Sequence, residues 1–165
     1  MVHVYNTGEM HSEQSWIRSA FAGFVATGPM TVFMLTSQRF LPKGQQYTLP
    51  PEMLTKDLMR RAHVRWHFSK IQILGVTLVS HFGYGTVVGA LYRPLSKKGP
   101  LPAPVKGALF GIGVWVTSYF GLLPLLGMSA SGQKEPGRRN FMMLLAHMLW
   151  GTVLGVVAEG LIKEA

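Results

Sequence analysis

Four apolar segments without a single charged residue constrain this sequence more than any other feature. They cover residues 19–36, 71–92, 107–127 and 141–158, and each is 18 to 22 residues long. An α-helix rises about 1.5 Å per residue, so about 20 residues cross a hydrocarbon core of about 30 Å. Because lipid offers no partner for backbone N–H and C=O groups, such a segment must be helical. The sequence therefore predicts an all-α integral membrane protein.

With their flanking residues, these segments predict four transmembrane helices in a single membrane domain that spans residues 1–165. We expect these helices at about residues 16–39, 70–93, 105–127 and 140–162. Pro29 and Pro124 lie inside the first and third segments, where we expect them to kink or end the helix locally.

Composition supports a membrane protein and excludes several other classes. Charged residues make up 14% of the chain, against about 25% in ordinary soluble domains. The 16 Lys and Arg outnumber the 7 Asp and Glu, but they lie in the loops between apolar segments, which favours contact with lipid head groups over nucleic acid. The chain has no cysteine and no nucleophile–base–acid set, so we expect no enzyme.

The first loop contains a basic amphipathic segment. Two prolines followed by Glu52 are typical of a helix start, and apolar residues then recur at helical spacing up to about residue 67. We predict an interfacial helix over about residues 51–67 that lies flat on the membrane. The residues expected to contact the lipid surface are Lys56, Arg60, Arg61, Arg65 and Trp66.

The distribution of Lys and Arg predicts an orientation. The first and third loops hold ten of these residues, and the termini and the second loop hold six. By the positive-inside rule, the first and third loops are then cytoplasmic and both termini lie outside.

The second and fourth segments share a repeated pattern, His-x-x-aromatic-Gly-Thr-Val-x-Gly, which begins at His81 and again 66 residues later at His147. The first and third segments match more faintly, with residues 20–23 against 108–111. This pattern predicts two tandem helical hairpins in a parallel pseudo-repeat. The second and fourth helices would then run parallel and carry their histidines at similar depth.

Glycines follow each histidine at i+4 and i+8, which places one stripe of small residues on each of these helices. The stripe has two interpretations. It packs one helix closely on another, with the histidine making an interhelical hydrogen bond. Alternatively, the two imidazoles bind a haem or (bacterio)chlorophyll, and the glycines leave room for the macrocycle. A proton relay or transport role is a third reading. The candidate cofactor-binding residues are His81, His147, Gly85, Gly89, Gly151 and Gly155.

Arg93 and Glu159 occupy equivalent positions, twelve residues past their respective histidines. Two readings are open for them. They pair with each other across the pseudo-two-fold axis, or each ends its span and reaches the head groups separately.

Several short pieces of the chain are similar to a known family. They are Thr48-Leu49-Pro50-Pro51, Ser80-His81, Leu123-Pro124-Leu125-Leu126-Gly127 and Ala146-His147-Met148-Leu149-Trp150. In these pieces the chain resembles the YagU-type family of uncharacterised bacterial inner-membrane proteins. The resemblance implies a multispanning protein of unassigned activity in the bacterial cytoplasmic membrane, and it assigns no catalytic residues.

We expect a non-catalytic role as an accessory or structural subunit of a larger membrane complex, of respiratory or photosynthetic type. The expected partners are other membrane subunits and lipids. The alternatives are a haem- or pigment-binding protein that uses His81 and His147, and a small transporter or proton-conducting element.

Overall fold

The computed structural model describes residues 7–46, 48–61, 69–96, 99–125, 127 and 135–163, and within these ranges it is helical with no strand. Four of its helices are long and apolar enough to cross a membrane, which confirms the predicted all-α membrane fold. The main helices are α1 (Thr7–Ser37), α2 (Pro50–Arg61), α3 (Lys70–Ala90), α4 (Ala103–Val116) and α5 (Gly137–Lys163). A π-helix and a last helical turn continue α4 to Leu125 and complete the third span. Shorter turns are Gln38–Phe40, Lys43–Gln45 and Arg93–Ser96.

The helix boundaries follow local sequence signals. Ser69 caps α3 through a reciprocal capping box, in which its hydroxyl accepts from the Gln72 amide while the Gln72 side chain accepts from the Ser69 amide. Helix α1 starts at Thr7, ahead of the expected residue 16, because hydropathy marks only the apolar part of a helix. It also continues through Pro29 without ending there.

The arrangement of the helices leaves one interface open. Helix α1 packs against both α3 and α5, and α4 packs against α5, whereas α3 and α4 make few contacts among the described residues. The contacts also give the directions: one end of α1 lies by the end of α3 and the other by the start of α5. Thus α3 and α5 run parallel, as the sequence predicts.

Glycines bring the two helices of each hairpin into backbone contact. A Cβ at Gly23 of α1 would lie 2.3 Å from the carbonyl oxygen of Gly85 in α3, and one at Gly107 of α4 would lie 2.0 Å from that of Gly151 in α5. No larger residue fits such distances. By these contacts the counterpart of Gly23 is Gly107, whereas the alignment of the two sequence segments paired Gly23 with Gly111, one helical turn further on. A short sequence match does not determine which glycine lies at the helix crossing.

The core of the bundle lies mainly between α1 and α5. Both helices contribute buried alanines and methionines, and the Trp150 indole of α5 reaches Gly23 and Thr27 of α1. The buried residues of this interface include Ala22, Ala26, Met30, Met34, Met142, Met143, Ala146, Trp150, Leu154 and Ala158.

A buried arginine at the start of α5 holds the first loop. Arg139 is fully buried, and its Nε lies 2.6 Å from Oε2 of Glu135. Its other nitrogens donate to the carbonyl oxygens of Gln45 at 3.0 Å and Thr48 at 3.2 Å. Because Thr48 lies two residues before the start of α2, this network positions α2 over the end of the bundle.

Candidate functional site

A cavity of about 310 Å³ lies between the two hairpins, beside the open interface of α3 and α4. Helix α2 covers its end, and the other four helices form its walls. The lining residues that the argument below uses are Thr27 of α1, His81 and Tyr84 of α3, Val114 of α4, Ser118 and Tyr119 just after α4, and His147 and Trp150 of α5. Most of the remaining lining side chains are aliphatic or methionine, so the cavity is an apolar space with a few polar groups.

The structure places both predicted histidines on this one cavity. His147 is buried, and its Nδ1 lies 2.7 Å from the carbonyl oxygen of Met143, one turn earlier in α5. A carbonyl only accepts, so Nδ1 carries the hydrogen in the neutral ring and Nε2 is left as an acceptor. His81 contacts the ring of Phe82 and makes no hydrogen bond within the described residues.

The aromatic residues of the two matching sequence patterns, Tyr84 and Trp150, form hydrogen bonds between the hairpins. The Trp150 indole on α5 donates to Oγ1 of Thr27 on α1, with 3.3 Å between the nitrogen and the oxygen. The Tyr84 hydroxyl on α3 lies 2.8 Å from Oγ of Ser118. The first bond lies within the closed interface of α1 and α5, and the second bridges the open interface between α3 and α4.

The residues after α4 form a π-helix, Thr117–Leu122, followed by the helical turn Leu123–Leu125. The π-helix places Ser118, Tyr119 and Leu122 on the cavity. Irregular turns of this kind occur often at functional sites. We did not predict this segment, although Pro124, which lacks a backbone N–H, signals a local change of helix geometry.

The four glycines predicted to bind a cofactor contact neighbouring helices. Gly85 borders the cavity, but an added Cβ would meet the Thr27 hydroxyl at 2.1 Å. Gly89 lies against the Gly23 backbone, and Gly151 and Gly155 lie against the backbone of α4. Their small size therefore serves helix approach, and of the six candidate residues only the two histidines and Gly85 border the cavity.

In one of the two readings open for Glu159 its partner was Arg93, and the structure gives it other partners. Its Oε1 lies 2.7 Å from Nζ of Lys106, a buried residue of α4, and accepts a hydrogen bond from the Tyr92 hydroxyl at 2.9 Å. Arg93 instead bonds to the Ser15 hydroxyl and stacks over Trp16, 5.0 Å from its ring centre. The reading in which Arg93 pairs with Glu159 was therefore wrong. The equivalent positions of the two residues in the sequence did not reveal that Lys106 of α4 lies beside Glu159.

The predicted lipid-surface residues fall partly within α2. Lys56 pairs with Glu52 at 2.7 Å, Arg60 pairs with Asp57 at 3.1 Å, and Arg61 donates to the Gly127 carbonyl at 3.0 Å. These three side chains lie on the outer surface, and the inner face of α2 meets the cavity. Arg65 and Trp66 lie outside the residues that the structure describes.

The described part of the chain contains no group of three or more His, Cys, Asp or Glu side chains that could hold a metal ion. An isolated metal centre built from protein ligands alone therefore has no candidate in these residues. The two cavity histidines could supply nitrogen ligands to a metal whose other ligands come from a cofactor, as the porphyrin nitrogens do in a haem.

Comparison with known proteins gives one match. A family model described as a protein of unknown function, DUF1440, matches residues 30–156, which include both histidines and all the residues that line the cavity except Thr27. This agrees with the resemblance to an uncharacterised membrane family. No curated protein matches the chain, and no solved structure does. Because the family model covers more than three quarters of the chain, the protein belongs to the DUF1440 family.

Proposed function

We propose that this multi-pass membrane protein binds a small apolar molecule inside the bilayer, in the cavity between its two hairpins. The observation that carries the proposal is the cavity itself, of about 310 Å³ and with both imidazoles on its wall. Protein interiors are close-packed and rarely leave voids larger than a water molecule. A concave, mainly apolar space with a few polar groups is the common form of a small-molecule site.

The hairpins, taken as two copies of one unit, account for the position of the cavity. In such a repeat, the interface of α1 with α5 and the interface of α4 with α3 are equivalent. The first is closed by close packing of α1 on α5, whereas the second is open. A ligand would occupy the space between α3 and α4, which in the interface of α1 with α5 is filled by the packed helices. It would enter this space laterally from the lipid.

The experiment is an analysis of small molecules that co-purify with the protein. Val114 borders the cavity, so Val114→Trp fills it, whereas Val116 lies two residues further along α4 and is exposed. We expect a stoichiometric molecule in organic extracts of the wild type and of Val116→Trp, but not of Val114→Trp. Equal amounts in all three proteins, or none in the wild type, would contradict the proposal.

Haem or a chlorophyll-type pigment is a second candidate for the ligand. It is favoured by the bond from Nδ1 of His147 to the Met143 carbonyl at 2.7 Å, since metal-ligating histidines use one ring nitrogen in this way and present the other to the metal. A purified protein with this ligand would show a Soret or chlorin band that disappears when His81 and His147 are both changed to alanine. Absence of the band removes this candidate and leaves the binding of an uncoloured molecule.

The roles of accessory subunit and of transporter stay predictions, as do the bacterial inner membrane and the cytoplasmic first loop. Co-purification in mild detergent tests the first, with a monomer and no stoichiometric partner as the contrary result. The non-catalytic role also stays a prediction.

A further inference from the structure

The chemical class of the ligand follows from the polar atoms of the cavity, provided that the cavity is a binding site as proposed above. Nε2 of His147 is the most constrained of these atoms. Its ring is buried, its Nδ1 is occupied by the Met143 carbonyl, and Nε2 has no hydrogen-bond partner within the described residues. In the neutral ring Nε2 only accepts. The atom therefore matches a donor, such as a hydroxyl, and not a ketone or an ether.

The walls around this acceptor are aromatic. The Tyr119 ring meets the His147 ring edge to face, with 5.9 Å between centres. Tyr84 and Trp150 border the same space from α3 and α5. Aromatic rings attract one another in offset and edge-to-face arrangements with centres 4.5–7 Å apart. A flat ring that carries a hydroxyl would contact these side chains and reach Nε2 of His147.

A second space lies next to the cavity along the open interface. This cleft of about 490 Å³ shares Tyr84, Val114 and Ser118 with the cavity and extends to Leu109 on α4 and Leu95 after α3. Its other lining residues are mainly apolar. The cavity and cleft together run along α4 and its π-helical extension from residue 109 to residue 123, which corresponds to about 21 Å at about 1.5 Å per residue. This is the shape of a polar head with a long apolar chain.

We propose that the protein binds a hydroxy-aromatic lipid, whose ring lies in the cavity with its hydroxyl donating to Nε2 of His147, and whose chain lies in the cleft between α3 and α4. The hydrogen bond between Tyr84 and Ser118 lies where the two spaces meet. The chain passes this point, so binding alters the contact between these two side chains. A membrane-soluble quinol and an alkylated phenol share this chemistry.

The test uses two probes that differ in one hydrogen-bond donor, 4-nonylphenol and its methyl ether, 4-nonylanisole. Binding to the purified full chain in detergent is followed by tryptophan fluorescence, because Trp150 borders the cavity. We expect the wild type to bind the phenol about tenfold more tightly than the ether, which is the effect of one buried hydrogen bond. In His147→Phe the two probes should bind equally. Equal binding in the wild type would overturn the hydroxyl recognition.

A second pair of variants leaves His147 unchanged and tests the chain site, so the proposal does not depend on whether His147→Phe folds. Gly113 borders the cleft, and no atom lies within 4 Å of a Cβ added there, so Gly113→Leu fills the cleft without a clash with neighbouring helices. We expect it to weaken 4-nonylphenol at least about tenfold and leave the short 4-ethylphenol unchanged. Gly75→Leu, on α3 and equally open, is the matched control. An equal loss for both phenols, or no loss for either, would overturn the placement of the chain.

The two probes also separate this proposal from the broader one. If both bind the wild type equally and Val114→Trp abolishes both, the cavity binds apolar molecules and only the hydroxyl recognition fails. If neither probe binds the wild type and no small molecule co-purifies, the proposed function fails together with this inference.

Discussion

The ammonium group of Lys106 lies 2.7 Å from the carboxylate of Glu159, and both side chains are largely shielded from solvent. Lys106 also donates to the Ser96 carbonyl at 2.9 Å, and Glu159 accepts from Tyr92. Because Tyr92 and Ser96 belong to the first hairpin and the ion pair to the second, this cluster ties the two hairpins together at the end of the bundle away from α2.

Removing the cation of this pair should destabilise the protein. Lys106→Met leaves the Glu159 carboxylate without its ion partner, and we expect a loss of about 3 kcal/mol in the free energy of unfolding. Adding Glu159→Gln should restore most of the loss, since the amide oxygen still accepts from Tyr92. Thermal unfolding in detergent measures both effects. Lys56→Met breaks an exposed pair of the same 2.7 Å length and should change stability by less than about 1 kcal/mol; an equal loss in both single variants would contradict the role of burial.

Gly107 should not tolerate even alanine. The added Cβ would lie 2.0 Å from the Gly151 carbonyl oxygen, so α4 and α5 would have to move apart. We expect Gly107→Ala to lower the free energy of unfolding by about 3 kcal/mol. Gly113→Ala, on the same helix with nothing near its Cβ, should be neutral or slightly stabilising because alanine favours helix. Chemical denaturation of the two variants side by side tests the close approach, and it fails if both unfold at the same denaturant concentration.

Trp150, which is buried, and Trp115, which is partly buried, should respond in opposite ways to replacement by phenylalanine. Trp150 donates to Thr27 and to the Gly23 carbonyl, each at 3.3 Å, so Trp150→Phe should cost about 1–2 kcal/mol. The Trp115 nitrogen is buried and has no hydrogen-bond partner among the described residues, so Trp115→Phe removes an unsatisfied donor and should be neutral or stabilising. Unfolding followed by circular dichroism gives the comparison. A larger loss for Trp115→Phe than for Trp150→Phe would contradict the bonding pattern.

Arg139 should hold the first loop in place. Arg139→Met removes a fully buried guanidinium that binds Glu135 and the carbonyls of Gln45 and Thr48. We expect a loss of about 3 kcal/mol in stability and faster tryptic cleavage after Lys43, which is exposed in the same loop. The adjacent Arg138 is exposed, and Arg138→Met should leave both quantities near those of the wild type. Unchanged cleavage at Lys43 in Arg139→Met would show that the loop is held by other contacts.

The candidate site could be predicted from the sequence only in part. His81 and His147 occupy the same position in the two copies of the pattern, which indicates a similar depth in the membrane for the two imidazoles. In the structure both of them line the cavity. Tyr84 is the aromatic residue of the repeated pattern, but it was not assigned to the site. Ser118 and Tyr119 were missed because only the proline that follows the π-helix marks that segment. The basic partner of Glu159 was also missed, although a lysine one turn into an apolar helix, Lys106, is itself a signal for a buried ion pair.

The amino-acid sequence by itself determined the four spans, the start of α2 and the parallel direction of the two histidine-bearing helices. These properties depend on local hydropathy, helix length and chain order, which a linear pattern records directly. Only the tertiary structure decided that α1 packs on α5 while α3 and α4 stay apart, that Gly23 corresponds to Gly107, and that Lys106 faces Glu159. Such choices depend on which side chains interdigitate across helices, and in lipid many surfaces are equally apolar, so hydropathy cannot distinguish a packed face from an open one.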